Sequence, residues 1–202
     1  MTSESVAAIS QPAGPRSVFI SHKHEDAEIA QLLADCLQSL AGPKIEIFLT
    51  SSLDYDGVKF GAPLKEQIAQ QLSQTELFLL LYTGGRKDYS WCTYEAGLAT
   101  DTTRPDAKKH IVISLVDDAP SMFDGTRFVK AMKTGEIEGF LREFCFDAKT
   151  FPGEGGPLLE ATPALEEAAV TRAEALTNTF KATSLGDSQE IPRWPTVALH
   201  IG

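Results

Sequence analysis

The chain has 202 residues, of which 43% are hydrophobic and 23% charged, the balance of a folded chain of one domain plus an appendage rather than a disordered one. Its 28 acidic and 18 basic side chains leave a net charge of −10, which argues against non-specific nucleic-acid binding and against docking on anionic lipid. Three scattered cysteines, Cys36, Cys92 and Cys145, form no C-x-x-C pair and no closed disulfide framework, as suits a reducing cytosol.

The first residues, MTSESVAAISQPAGPR, lack a basic stretch followed by an apolar core, so no signal peptide is expected. Residues 1–16 read as a flexible lead-in. Val18–Ile20 is a short apolar run ending at Ser21. Apolar residues then recur at Ile29, Leu32, Leu33, Cys36, Leu37 and Leu40, a stripe at the helical period that Gly42-Pro43 stops. Ile45, Ile47 and Leu49 alternate as in a strand. A loop from Thr50 to Pro63 follows, carrying Gly57 and Gly61. Leu64, Ile68 and Leu72 mark a second helix.

Leu77–Tyr82 is apolar throughout, as befits a strand covered on both faces, and too short to span a bilayer. After a loop containing Gly84-Gly85, a short helix is predicted from Ser90 to about Ala99. Ile111–Val116 is a further strand, ended by Asp117-Asp118. The alternation of strand and helix predicts an α/β domain, a doubly wound parallel sheet of flavodoxin-like type over residues 17–148. Ligands in such sheets sit beyond the carboxyl ends of the strands, so the loops after Ser21, Leu49, Tyr82 and Val116 are the ones to watch.

Residues 149–202 form a linker, a helix over Ala164–Lys181 and a C-terminal extension. The helix packs on the domain or bridges to something else. Ile191–Gly202 reads as a Trp-Pro corner and an incipient strand, the start of a further module if the chain is a fragment.

The first strand is followed by Ser21-His22-Lys23-His24-Glu25-Asp26, which contains neither a dinucleotide fingerprint nor a Walker A loop. His22 and His24 have no recognisable third ligand, so no metal site is expected. Cys36 belongs to a core stripe, and Cys92 lacks an evident base. A receiver domain would need an acidic pair after the first strand and an Asp ending the third; Ser21-His22 and Thr83-Gly84 stand there instead.

The strongest signal is Ser90-Trp91-Cys92-Thr93-Tyr94-Glu95. Ser90 is placed to cap the helix. Trp91 and Glu95, at i and i+4, share one face. An aromatic plate beside a carboxylate at the ligand-binding edge suits a nucleotide ring and its sugar; a buried Trp with Glu95 in a surface salt bridge fits the spacing equally.

Three segments in series, VFISHKHED, LDYDGVKFGAPLKEQI and SWCTYEAGLA, resemble the successive motifs of a bacterial Toll/interleukin-1 receptor (TIR) domain. The first is similar to its F-I-S-x-x-x-x-D start, the second to its glycine-containing loop and the third to its W-x-x-x-E signature. The glycine loop departs from the pattern, with Phe60 where an aromatic, often Trp, is usual, and with the common arginine missing, Lys59 being the nearest cation. The resemblance implies the TIR fold with a C-terminal helical extension, and for the NAD-cleaving type an NAD+ glycohydrolase. It assigns catalysis to Glu95, with Trp91 orienting it and lining the pocket. Substrate contacts then fall to Phe19, Ser21, His22 and Lys23 from the first strand, and to Leu49, Asp54, Asp56 and Phe60 from the second motif.

NAD+ is the implied substrate and no cofactor is needed. The resemblance further implies a cytoplasmic effector of antiviral defence, activated by self-association and coupled to a sensor domain or partner protein, with no direct nucleic-acid or membrane contact. Two other readings stay open: a non-catalytic TIR–TIR interaction module, and a nucleoside N-glycosidase or deoxyribosyltransferase on the same architecture.

Overall fold

The computed structural model describes residues 14–50, 64–84, 88–100, 109–117, 123, 125–151 and 156–185. Within them the parallel strands β1 (Arg16–Ser21), β2 (Ile45–Leu49), β3 (Leu77–Tyr82), β4 (Lys109–Ser114) and β5 (Arg127–Lys130) form one sheet in the order β2-β1-β3-β4-β5. The helices are α1 (Ala27–Ala41), α2 (Leu64–Gln74), α3 (Ser90–Ala99), α4 (Thr134–Phe146) and α5 (Pro163–Leu185). From β1 the chain crosses first to β2 and then back to β3 on the other side, which makes the carboxyl ends of β1 and β3 the switch point of the sheet.

Period-two alternation sorts the strands into two cores. Val18, Ile20, Leu77, Leu79, Leu81, Ile111 and Ile113 face one cluster, shared with α1, α4 and α5. Phe19, Phe78, Leu80, Tyr82 and Val112 face the other, shared with α2 and α3. Helix α1 ends as its sequence dictates. Gly42 takes φ 56°, donates its N–H to Gln38 O, and opens a short 3-10 turn through Lys44.

Four elements depart from the sequence expectations. Arg16, placed in the lead-in, starts β1 and pairs with Glu76 at 2.6 Å. Strand β4 begins two residues early and ends at Ser114, because its register matches β3 from Leu77↔Lys109 to Tyr82↔Ser114. Strand β5 and helix α4 were not anticipated: β5 is a four-residue edge strand, and α4 carries Gly135 and Gly139, which weaken its helical propensity.

Helix α5 packs on α1 and α4. Leu165, Ala169, Ala173, Leu176 and Phe180, spaced by three or four residues, enter the first core. Thr162 accepts the Leu165 N–H at its start, with Pro163 in the first turn. Arg172 is buried and donates Nε–H to Ser39 Oγ at 2.7 Å. Among the described residues no helix is long and apolar enough to cross a membrane. The predicted strand at 191–202 lies outside the described residues.

Candidate active site

At the switch point lies a cavity of about 570 Å³. Its described lining is His22, Lys23, His24 and Glu25 from the loop after β1, Thr50 after β2, and Asp88, Trp91 and Cys92 at the start of α3. The volume suits a small organic ligand.

Beneath this lining sits Glu95, with no solvent exposure. Ser21 Oγ–H donates to its Oε2 at 2.5 Å, and Thr50 Oγ1–H approaches the same oxygen at 3.2 Å. Both hydroxyls come from strand ends. Ser21 closes β1 on the α3 face of the sheet, the face that Phe19 also takes. Ile20 pairs with Leu49, so the next residue, Thr50, lies beside Ser21 on that same face. The surface salt bridge that the Trp91–Glu95 spacing also allowed does not describe this buried, hydroxyl-held carboxylate.

Helix α3 starts at Ser90 as expected, but Ser90 is not its cap. Ser90 is its first residue and a donor: Asp88 Oδ1 accepts the Ser90 N–H at 2.8 Å and its hydroxyl at 2.6 Å. Those two bonds hold the Asp88 carboxyl below its usual range. Trp91 is half-buried against Tyr94 at 5.5 Å between ring centroids and contributes to the cavity wall. Tyr94 is exposed, with Lys65 Nζ 5.6 Å from its ring. Cys92 is a buried part of the wall, and desolvation pushes its thiol up to about 11 against some lowering by Ser21, so it stays protonated at neutral pH.

Lys23 is not solvent-facing. Its ammonium is 2.8 Å from Glu25 Oε1 and 3.6 Å from Asp26 Oδ2, and lies 4.7 Å over the Tyr89 ring. Asp26 Oδ2 accepts from Thr83 Oγ1 at 2.7 Å, and the Thr83 N–H donates to the Tyr89 hydroxyl at 2.6 Å. This network ties the loop after β1 to the loop after β3, where Gly84 takes φ 128°. His22 is buried, with Nδ1 3.2 Å from Ile20 O.

The structure therefore brings Ser21, His22, Lys23, Trp91 and Glu95 together. Two expected contacts lie elsewhere. Phe19 is fully buried and stacked on Phe78 at 6.0 Å, because alternation turns it into the second core. Leu49 points to the other face and borders a separate cavity of about 310 Å³ beside Gln31, Asp35 and Gln38. Asp54, Asp56 and Phe60 lie outside the described residues. Thr50 went unrecognised, although its place one residue past the alternating Ile45–Leu49 strand is the signal that puts it on the Glu95 side. Among the described residues no group of three His, Cys, Asp or Glu side chains is arranged to hold a metal ion.

No curated protein sequence matches the chain. Among solved structures, a 2-deoxyribosyltransferase from the psychrotolerant bacterium Bacillus psychrosaccharolyticus is similar with a TM-score of 0.45 and 10% identity, over 56% of this chain and 84% of that one. The TIR domain pattern matches residues 18–143, from the middle of β1 to the body of α4, which takes in every cavity-lining residue named above. The chain belongs to the TIR domain family.

Proposed function

We propose that the domain is an NAD+ glycohydrolase that breaks the nicotinamide–ribose bond. One observation carries the reading: the Glu95 carboxylate, held by Ser21 and Thr50 at the strand ends, lies directly behind a cavity walled by Trp91 and Cys92. The chemistry asks little else of the protein. Nicotinamide leaves a cationic pyridinium as a neutral molecule, so the C–N electron pair returns to the ring without a general acid. The sugar passes through an oxocarbenium-like state, which a nearby carboxylate stabilises electrostatically. Water then adds to the anomeric carbon and loses a proton, giving ADP-ribose; attack by an adenine nitrogen instead gives a cyclic isomer.

The complete burial of Glu95 supports activation by self-association. A carboxylate shut behind Thr50 and Cys92 cannot grip a ribose until the wall shifts, and a neighbouring copy is a means of shifting it. We place the protein in the cytoplasm as an antiviral effector that depletes NAD+ once a sensor or partner clusters it. NAD+ is the substrate and no cofactor takes part.

The same burial also favours a second reading, in which Glu95 serves the fold and the domain is a TIR–TIR signalling module. Incubation with NAD+, with and without enforced clustering, separates the two. Free nicotinamide from the clustered wild type and none from folded Glu95→Gln is the expected result. Turnover by Glu95→Gln, or a silent clustered wild type, refutes the glycohydrolase. Competition between NAD+ and free nucleosides tests the nucleoside N-glycosidase alternative.

A further inference from the structure

We infer that Thr50 is a positioning residue for the Glu95 carboxylate, an inference that rests on the glycohydrolase reading. Two hydroxyls converge on one oxygen, Glu95 Oε2, from adjacent strand ends. Ser21 donates at 2.5 Å and fixes the distance of that oxygen from β1. Ser21 reaches that oxygen from β1 and Thr50 from β2, so the two donors constrain it from two directions.

Thr50 is suited to this. It is buried, and its Oγ1 is 3.2 Å from Oε2 and 3.4 Å from the Ile20 carbonyl. A hydroxyl has one proton, so it serves one of these acceptors at a time. Thr50 can release the carboxylate to a ribose hydroxyl and fall back on Ile20 O without becoming an unsatisfied donor. It also contributes to the cavity wall, so it stands between substrate space and the carboxylate. Ser21 holds the carboxylate and Thr50 aims it.

Hydrogen bonds to charged acceptors are strong enough that loss of this one lowers kcat by about tenfold or more. Thr50→Val preserves shape and removes the donor; Thr50→Ala is the second deletion variant should the first fold poorly; Thr50→Ser restores the hydroxyl. Folding of each is checked by circular dichroism, and steady-state NAD+ cleavage is measured on the clustered full chain.

The expected result is a fall in kcat for Thr50→Val with KM within about twofold, and recovery of most of the loss in Thr50→Ser. A kcat equal to wild type in Thr50→Val or Thr50→Ala overturns the positioning role and leaves the glycohydrolase reading intact. A loss carried wholly by KM, or shared equally by Thr50→Ser, also overturns it. A silent wild type overturns the glycohydrolase reading instead. The positioning is then read from the carbon-13 resonance of the Glu95 side-chain carboxyl, assigned by its absence in Glu95→Gln. A shift in Thr50→Val that reverts in Thr50→Ser supports the contact, and an unmoved resonance refutes it.

Discussion

Phe180 tests whether α5 is part of the fold or a passenger on it. Its side chain is fully buried in the core shared with α1 and α4, yet it lies 37 residues beyond the end of the TIR match at residue 143. Phe180→Ala returns an aromatic ring's transfer free energy of about 2–3 kcal/mol to water. A residual void of roughly 80 Å³ adds about 2 kcal/mol, at ~24 cal/mol per Å³. The sum is about 4–5 kcal/mol, or a fall in Tm of about 8–20 °C for a chain of this size.

Urea unfolding should be followed at once by far-UV circular dichroism and by Trp91 fluorescence, in a Trp194→Phe background because the chain has 2 tryptophans. Trp91 packs against the second core, on the opposite face of the sheet. If α5 belongs to one cooperative unit, both signals shift together by the full amount. A loss under about 1 kcal/mol, or a Trp91 transition that stays in place while helical signal is lost early, would refute the reasoning.

Other predictions follow from single contacts. Ser21→Ala removes the 2.5 Å donor to buried Glu95 and should cost about 1–3 kcal/mol in urea unfolding and, on the glycohydrolase reading, most NAD+ cleavage; full stability would contradict the contact. Tyr89→Phe deprives the Thr83 N–H of its acceptor and should cost about 1 kcal/mol by the same assay. The thiols predict a pH dependence. Burial pushes Cys36 and Cys145 up to about 12 and Cys92 to about 11, against 9.0 for a free thiol. The unfolded chain therefore sheds these protons first as pH rises, and stability falls from about pH 9 towards pH 11–12, by about 1.4 kcal/mol per thiol per unit. Cys→Ser variants should flatten that slope. At pH 8 a thiol reagent should label the native protein far more slowly than the urea-unfolded one.

Much of the architecture was legible because the sheet is buried on both faces. Leu77–Tyr82 announces a central strand by having no polar residue, and the Ile29–Leu40 stripe announces α1 by its period. The element that escaped notice despite a signal was α4: Ile137, Phe140, Leu141, Phe144 and Cys145 follow a helical stripe, masked by two glycines. Strand β5, with one buried residue among four, offers periodicity nothing to work on.

The site was readable to the extent that it is local. Trp91 and Glu95 share a helix, so their spacing predicts their neighbourhood. What holds the carboxylate was not readable in that way. Leu49 was chosen where Thr50 is the residue that reaches Glu95, a one-residue difference that alternation turns into opposite sides of the sheet. Lys23 lost its default exposure to partners that include the Tyr89 ring, 66 positions along the chain.

The bonds to Glu95 span sequence separations of 74 and 45 residues. No nascent segment or proteolytic piece short of the β1-to-α3 span can hold that carboxylate between its two donors. This arrangement is thus a property of completed folding of the chain itself. On the glycohydrolase reading, a ribosome-bound intermediate short of that span lacks the assembled site, and activity can begin only after folding is done.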